Sequence, residues 1–324
     1  MELIDRVAYR LKLRDLRLLD TVVRLKSMVK AAAQLNISQP AVSKAIAELE
    51  HMLGVRLVDR GRQGIEPTPH GRALLKRGAA IFDELRQGVT EMEFLSDPTA
   101  GEVRIATSET MAAGLLPVLI ARLTEQYPRV SIHVTQSPIG SLQYRNPQYR
   151  DLRDRNVDLV LGPIIRPIGE DDLEAEALFD DHAVVAAGSG NPWVRRRKIQ
   201  LADLIDEPWC LLPHDTVAGS RSVDAFRAHG LDVPPRNVVS NSVQLQIGML
   251  ATQRYLTMLP SSLMRFSGSR LSIKALPITL SVKPRIIGIV TLKNRTISPV
   301  AQLVIQAARA ITKSMAKGKA PVRY

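Results

Sequence analysis

Leu16, Leu19, Val22 and Val23 recur at helical spacing among Arg14, Arg17, Arg24 and Lys26, which predicts an amphipathic helix from about Leu13 to Lys26. Ser27 is placed to cap a second helix, whose inward face is read as Val29, Ala32, Ala33 and Leu35. The small run Ala31-Ala32-Ala33 lets a third helix come close. That helix opens at Ser38, a natural N-cap, carries Pro40 in its first turn where a missing N–H costs little, and buries Val42, Ile46, Leu49 and Leu53. Gln39, Ser43 and Lys44 are left on the opposite side. Two short helices hinged at Leu35-Asn36-Ile37-Ser38 in this way form a helix-turn-helix with a polar face that can read duplex DNA.

The pattern then changes period. Gly54 ends the third helix, Val55-Arg56-Leu57-Val58 predicts a strand, and Asp59 to Gly64 predicts a glycine-rich turn, together a wing. From about His70 to Ser96, positions Leu74, Gly78, Ile81, Leu85, Gly88, Met92 and Leu95 alternate steps of four and three, a heptad seam on a helix roughly 40 Å long. So one-sided a helix implies a dimer interface, carried by Leu74, Ile81, Leu85, Met92 and Leu95. Asp97-Pro98-Thr99-Ala100-Gly101 breaks it. Beyond it, strands at 103–107, 130–135, 157–161, 183–187, 209–212, 238–240, 256–259 and 286–292 are interleaved with helices at 113–126, 220–229, 243–252 and 299–315. That alternation is the mark of an α/β sheet.

Composition narrows the classes without choosing among them. The length of 324 residues suits two or three domains. Aromatics at 4% argue against a base-stacking single-strand binder. The one cysteine, Cys210, excludes an internal disulfide or a cysteine-rich zinc site, and reads as a small buried hydrophobe. No apolar run reaches the roughly 18 residues of a membrane span, and the N-terminus lacks a signal-peptide core, so a cytoplasmic location is expected. The net charge of +12 lies mostly outside the head, since residues 1–97 carry 16 Lys and Arg against 13 Asp and Glu. Charge therefore adds little to the motif. Six histidines show no metal-ligand spacing, and neither a nucleophile elbow nor a phosphate-binding glycine loop is present. No cofactor is expected.

Leu16 to Gly71, which includes AAAQLNISQPAVSKAIAELEHMLGVRL and VDRGRQGIEPTPHG, resembles the N-terminal signature of the LysR-type transcriptional regulators, with the family's spacing of Arg60, Gly64, Thr68, Pro69 and Gly71. GEVRIAT, LLPVLIARLTEQYPRVSIHV and VDLVLG are similar to the family's effector domain. Val58 stands where the family commonly has Phe, and the stretch from Pro138 to Asn156 is longer than its usual counterpart. The resemblance implies an α plus α/β architecture: a winged helix-turn-helix over 1–69, a dimerising linker helix over 70–97, and an effector-binding domain over 98–312. The last would be a two-lobed, periplasmic-binding-protein-like fold of type II, lobe I about 101–172 and 277–312, lobe II about 173–276. Residues 313–324 are left as a basic tail. It also implies homodimers pairing into homotetramers that bend promoter DNA, contact with RNA polymerase, and control by a small-molecule effector.

Candidate residues follow for two sites. Gln39 can pair bidentately with adenine, Ser43 can donate or accept, Lys44 suits a guanine edge or a phosphate, and Pro40 can pack on a thymine methyl or only shape the turn. Ser38 and Gln39 can equally do no more than cap the helix. Arg60 and Arg62 suit the minor groove or its phosphates, or remain a solvated turn. For the effector, hydroxyls and backbone at strand ends are expected: Thr107, Ser108, Thr110, Ser137 and Pro163 from one lobe, Thr216, Gly219, Ser220 and Asn241 from the other. Helix capping is the competing role for each hydroxyl. Arg145, Arg150, Arg153 and Arg155 suggest a carboxylate-bearing effector, unless they are solvated surface arginines. The rival to a regulator is a cytoplasmic small-molecule binding protein or enzyme with a fused dimerising head.

Overall fold

Ser27 Oγ accepts from the Lys30 N–H at 3.3 Å and Ser38 Oγ from the Ala41 N–H at 3.4 Å, satisfying amides that every helix start leaves free. In this computed structural model, which describes residues 7, 9–61, 64–136, 149–164, 172–235 and 237–316, they open α2 (Met28–Leu35) and α3 (Gln39–Leu53), after α1 (Leu13–Leu25). Pro40 sits in the first turn of α3, and Asn36 and Gly54 end the two helices in the left-handed region at φ 52° and 71°. Leu19, Val22, Ala31, Val42, Ile46 and Leu49 form the core between them. Two residues expected inside α2 are not there. Val29 and Ala33 are exposed, because the inward face takes the phase Met28, Ala31, Ala32, Leu35.

The wing begins later than its sequence suggested. β1 (Val58–Gly61) pairs antiparallel with β2 (Gly64–Pro67), Val58 opposite Pro67. Residues 55–57 lead into it: Glu50 Oε1 accepts from the Leu57 and Val58 N–H groups at 2.7 and 3.2 Å, tying the chain to α3 while Leu57 enters the core. Thr68 then donates to Arg56 O at 2.7 Å and accepts from the Gly71 N–H at 3.0 Å, setting the first turn of α4 (Pro69–Ser96) against the head. A Cβ on Gly71 would collide with Leu57 O. Leu74 packs on the head core and Gly78 lies against Leu16, so the head takes these two positions of the expected seam. Ile81, Leu85, Met92 and Leu95, joined by Val89, are exposed along α4.

The chain divides into two units, one through Arg86 and one from Gln87 onward. The second contains two five-stranded sheets. In the first, β3 (Ala100–Thr107) runs parallel to both β4 (Arg129–Gln136) and β5 (Leu159–Pro163). β12 (Arg285–Leu292) lies antiparallel between β5 and an edge strand, β6 (Leu173–Asp181). α5 (Glu109–Ala113), α6 (Leu115–Gln126), the short α7 (Arg150–Arg153) and α11 (Pro299–Ala316) accompany this sheet, with α10 (Ser261–Ser267) packing against α5 and α6, and Leu115, Leu119, Val300 and Val304 in the sheet's main core. The second sheet has the order β11 (Ile273–Ala275), β7 (Ala183–Gly188), β10 (Leu256–Pro260), β8 (Trp209–Leu211), β9 (Asn237–Val239). Trp209 anchors its core, edge-on to Phe226 at 5.2 Å and donating from Nε1 to Leu204 O at 2.9 Å.

The chain crosses between sheets after Asp181 and returns before Arg285, not at about 173 and 277. Residues 173–181 belong to the first sheet because β6 pairs with β12 along its length, and Ile278, Leu280 and Val282 still pack on the second core. Both crossings therefore stand side by side, Asp181 opposite Arg285 in the pairing register.

Candidate DNA-binding face and effector cleft

On α3 the residues that do not enter the core form one surface. Ser38, Gln39, Pro40 and Lys44 are exposed and Ser43 is half-buried. Ser38 caps the helix, as described, while Lys44 Nζ lies 3.8 Å from Glu48 Oε1 in a solvated pair that leaves the ammonium free to exchange partners. Val29 and Ile37 are exposed apolar groups elsewhere in the head. Arg60 lies in β1, and Arg62 falls outside the described residues, as does Ser137.

In the second unit, the crossings and the ends of both sheets enclose a cavity of about 580 Å³. Glu109, Thr110 and Gln136 line it from the first lobe. Thr216, Asn241, Ser242 and Gln246 do so from the second, with Leu212, Val243, Met258 and Leu259 as its apolar wall. Two helix starts open onto it. Thr216 caps α8 (Val217–Arg227), accepting from the Gly219 N–H at 2.9 Å while donating to Pro213 O at 2.7 Å, and Ser242 caps α9 (Val243–Ala251), accepting from the Leu245 N–H at 3.2 Å. Glu109 Oε1 accepts from the Gln244 N–H at 3.0 Å, a carboxylate of one lobe on the first turn of a helix of the other.

Of the residues expected to hold an effector, Thr110, Thr216 and Asn241 line the cavity, while the other described ones serve the framework. Thr107 Oγ1 donates to Leu161 O at 2.7 Å, locking β3 to β5. Ser108 caps α5, accepting from the Met111 N–H at 3.4 Å, and lies 3.2 Å from Thr110 Oγ1. Pro163 ends β5 in the interior. Gly219 is the only residue its site admits, since a Cβ would meet Pro213 O, and Ser220 Oγ donates to Val217 O at 3.2 Å.

The arginines singled out in the longer segment have other engagements. Arg153 is paired with Asp172 at 3.0 Å and Arg150 with Asp154 at 3.4 Å; neither these nor Arg155 lines the cavity. Arg145 is outside the described residues. Among the described residues, the guanidinium groups that line the cavity come from two residues that periodicity did not mark, Arg221 on α8 and Arg285 at the start of β12. Burial holds both guanidinium groups below their usual value, Arg285 down to about 10, and each arginine's other influences include Asp181, with Arg221 also acting on Arg285 by repulsion. Asp181 is buried and burial pushes its carboxyl above the ordinary range, against the donors that hold it. Those donors are Ser261 Oγ at 2.9 Å, the Ser262 N–H at 2.9 Å and Ser262 Oγ at 2.6 Å.

A helix-turn-helix with an exposed polar recognition face, followed by a two-lobed α/β unit with a lined cleft, defines a DNA-binding regulator that carries a ligand domain. The sequence comparisons give that class a family. The model of the LysR substrate binding domain matches residues 96–312, and that of the bacterial regulatory helix-turn-helix protein, lysR family, matches residues 13–72. The chain belongs to the LysR family of transcriptional regulators. It is 29% identical over 304 residues to the HTH-type transcriptional regulator GbpR of Azospirillum brasilense, covering 93% of this chain and 86% of that one. It is 27% identical over 262 residues to the transcriptional dual regulator GltC of Bacillus subtilis, covering 81% and 84%. In fold it is similar to a full-length OxyR variant from Pseudomonas aeruginosa (TM-score 0.65, 19% identity, 96% of this chain and 100% of that one). It is likewise similar to full-length CbnR in complex with its target DNA (TM-score 0.61, 18% identity, 93% and 99%). The relatives are named as regulators of transcription, and this chain is one as well rather than an enzyme. No helix among the described residues is long and apolar enough to cross a membrane.

Proposed function

We propose that this regulator reads promoter DNA with Gln39, Ser43 and Lys44 of α3, positioned by Ser38 and Pro40 and flanked by Arg60 and Arg62 of the wing, and that a small molecule in the cleft governs that reading. The carrying observation is the cavity itself: it is lined from both lobes, and the contact of Glu109 with Gln244 spans it, so an occupant changes the balance between open and closed lobes. The exposed stripe Ile81, Leu85, Met92 and Leu95 supports dimerisation through α4, which spaces two recognition helices for two half-sites. Pairing of dimers into tetramers, bending of the DNA and contact with RNA polymerase complete the mechanism, with lobe closure resetting how the dimers pair.

The test is a gel shift of the purified protein on the DNA upstream of its own gene. A salt-sensitive, sequence-selective complex is expected, and Ser43→Ala and Gln39→Ala are each expected to lower its affinity by about tenfold, in line with about 1–3 kcal/mol of base discrimination per good contact. Binding to heparin as tight as to that duplex would overturn the proposal.

A further inference from the structure

We propose that Arg285, seconded by Arg221, is the anion-binding centre of the cleft and that the effector is a small organic acid whose carboxylate seats there. This rests on the cleft being the effector site.

Arg285 Nη2 is buried and has no hydrogen-bond partner among the described residues. A buried guanidinium nitrogen left without an acceptor is an expensive feature that a structure keeps for a reason. The adjacent carboxylate does not supply one. Asp181 stands opposite Arg285 across the β6–β12 pairing, yet its oxygens are held by Ser261 and Ser262. It acts on Arg285 through space only. Arg221 donates instead to Lys283 O, and its charge bears on Arg285 with the wrong sign. The described carboxylates around the two guanidinium groups are otherwise occupied: Asp224 acts on Arg221, and Glu109 on the cavity wall accepts from the Gln244 N–H, so none of them is hydrogen-bonded to Arg285 Nη2.

An incoming carboxylate repairs each of these defects. It accepts from Nη2, where a charge-assisted hydrogen bond is at its strongest, and it screens the repulsion between Arg221 and Arg285. The rest of the cavity decides for an organic acid over a bare inorganic anion. Met258, Leu259, Leu212 and Val243 offer apolar wall that a sulfate or phosphate cannot use, whereas the carbon skeleton of an acid can.

Full-length protein is titrated at low chloride with propionate, benzoate and succinate, each beside its primary amide, and with sulfate and phosphate, by calorimetry and thermal unfolding. At least one acid is expected to bind at least about tenfold tighter than its amide, as loss of a charged hydrogen bond demands. Arg285→Met should abolish that preference, Arg285→Lys should keep part of it, and ligand-free Arg285→Met should melt above the wild type, since it no longer buries an unanswered charge. That last shift is one a merely structural arginine would not give. The proposal is overturned if no acid in the panel outbinds its amide, if sulfate or phosphate binds as tightly as the best acid, or if Arg285→Met retains the preference. In each of those cases sequence-selective DNA binding by the wild type leaves the regulator itself standing; its absence would remove the reading beneath.

Discussion

Glu109 of the first lobe accepts a hydrogen bond from the backbone N–H of Gln244 in the second, at 3.0 Å. The carboxylate thus serves an amide that the start of α9 leaves free, and its charge faces the positive end of the helix. The hydrogen bond joins the two lobes through a residue that also lines the cavity.

Glu109→Ala is expected to weaken this apposition by about 1 kcal/mol, seen as roughly fivefold faster hydrogen exchange at the Gln244 amide. Glu109→Gln keeps an acceptor without the charge and should fall between. Unchanged exchange in Glu109→Ala would show that the contact does not hold the lobes together.

Arg295 and Asp158 form a second kind of pair, both almost fully buried, with Arg295 Nη2 2.8 Å from Asp158 Oδ1. Asp158 Oδ2 also accepts from the Arg104 N–H at 2.8 Å, so the carboxylate ties α11's approach, β3 and β5 together. Arg295→Met leaves a buried carboxylate without its cation and is expected to cost about 3–5 kcal/mol in thermal or urea unfolding. Adding Asp158→Asn should recover part of that loss; no recovery would mean that packing, not charge, sets the cost.

The exposed stripe on α4 makes a prediction about assembly. Leu85→Asp with Met92→Asp should weaken self-association by at least about tenfold in sedimentation, since buried apolar anchors dominate such interfaces. A dimer as tight as the wild type would place the interface elsewhere.

Asp181 carries a pH dependence whose sign can be worked out. Burial raises its folded-state value above the ordinary 3.8, so the folded protein holds this proton more tightly than the unfolded chain. The stability it contributes is full below 3.8 and is lost as pH rises through the folded value. The melting temperature of the wild type relative to Asp181→Asn should therefore fall as pH rises from that point, without acid present. A rise over the same interval would reverse the assignment.

The legible parts of this molecule are those written locally. Ser27, Ser38, Pro40 and Gly54 announce the helix boundaries of the head because caps and breakers act within a turn of themselves. The α/β alternation is equally plain, except for β6 and the short edge strand β11. Glu174, Glu176 and Asp180 of β6 break the apolar pattern because it is an edge strand, where charge is tolerated, and Glu176 is answered from α11 by Arg309 at 2.7 Å. The cleft was the least legible. Thr107, Ser108 and Ser220 lie at strand ends and helix starts, yet they support the backbone; Arg221 and Arg285, on separate elements, look like any surface arginine until the crossings bring them together. The cluster at 150–155 stood out in sequence, but Asp172 and Asp154 absorb two of its charges.

Leu74, Leu75 and Gly78 give the first turns of α4 no freedom of their own, because they are part of the head's interior. A 28-residue helix fixed at one end in this manner is a lever some 42 Å long. Tilting it by a few degrees displaces its far end by only a few ångströms, but swings the clamped head as one piece and re-aims α3 with it. In the dimer proposed through α4, a small adjustment between partner helices is thus geared up into a choice of which grooves a pair of heads can reach at once.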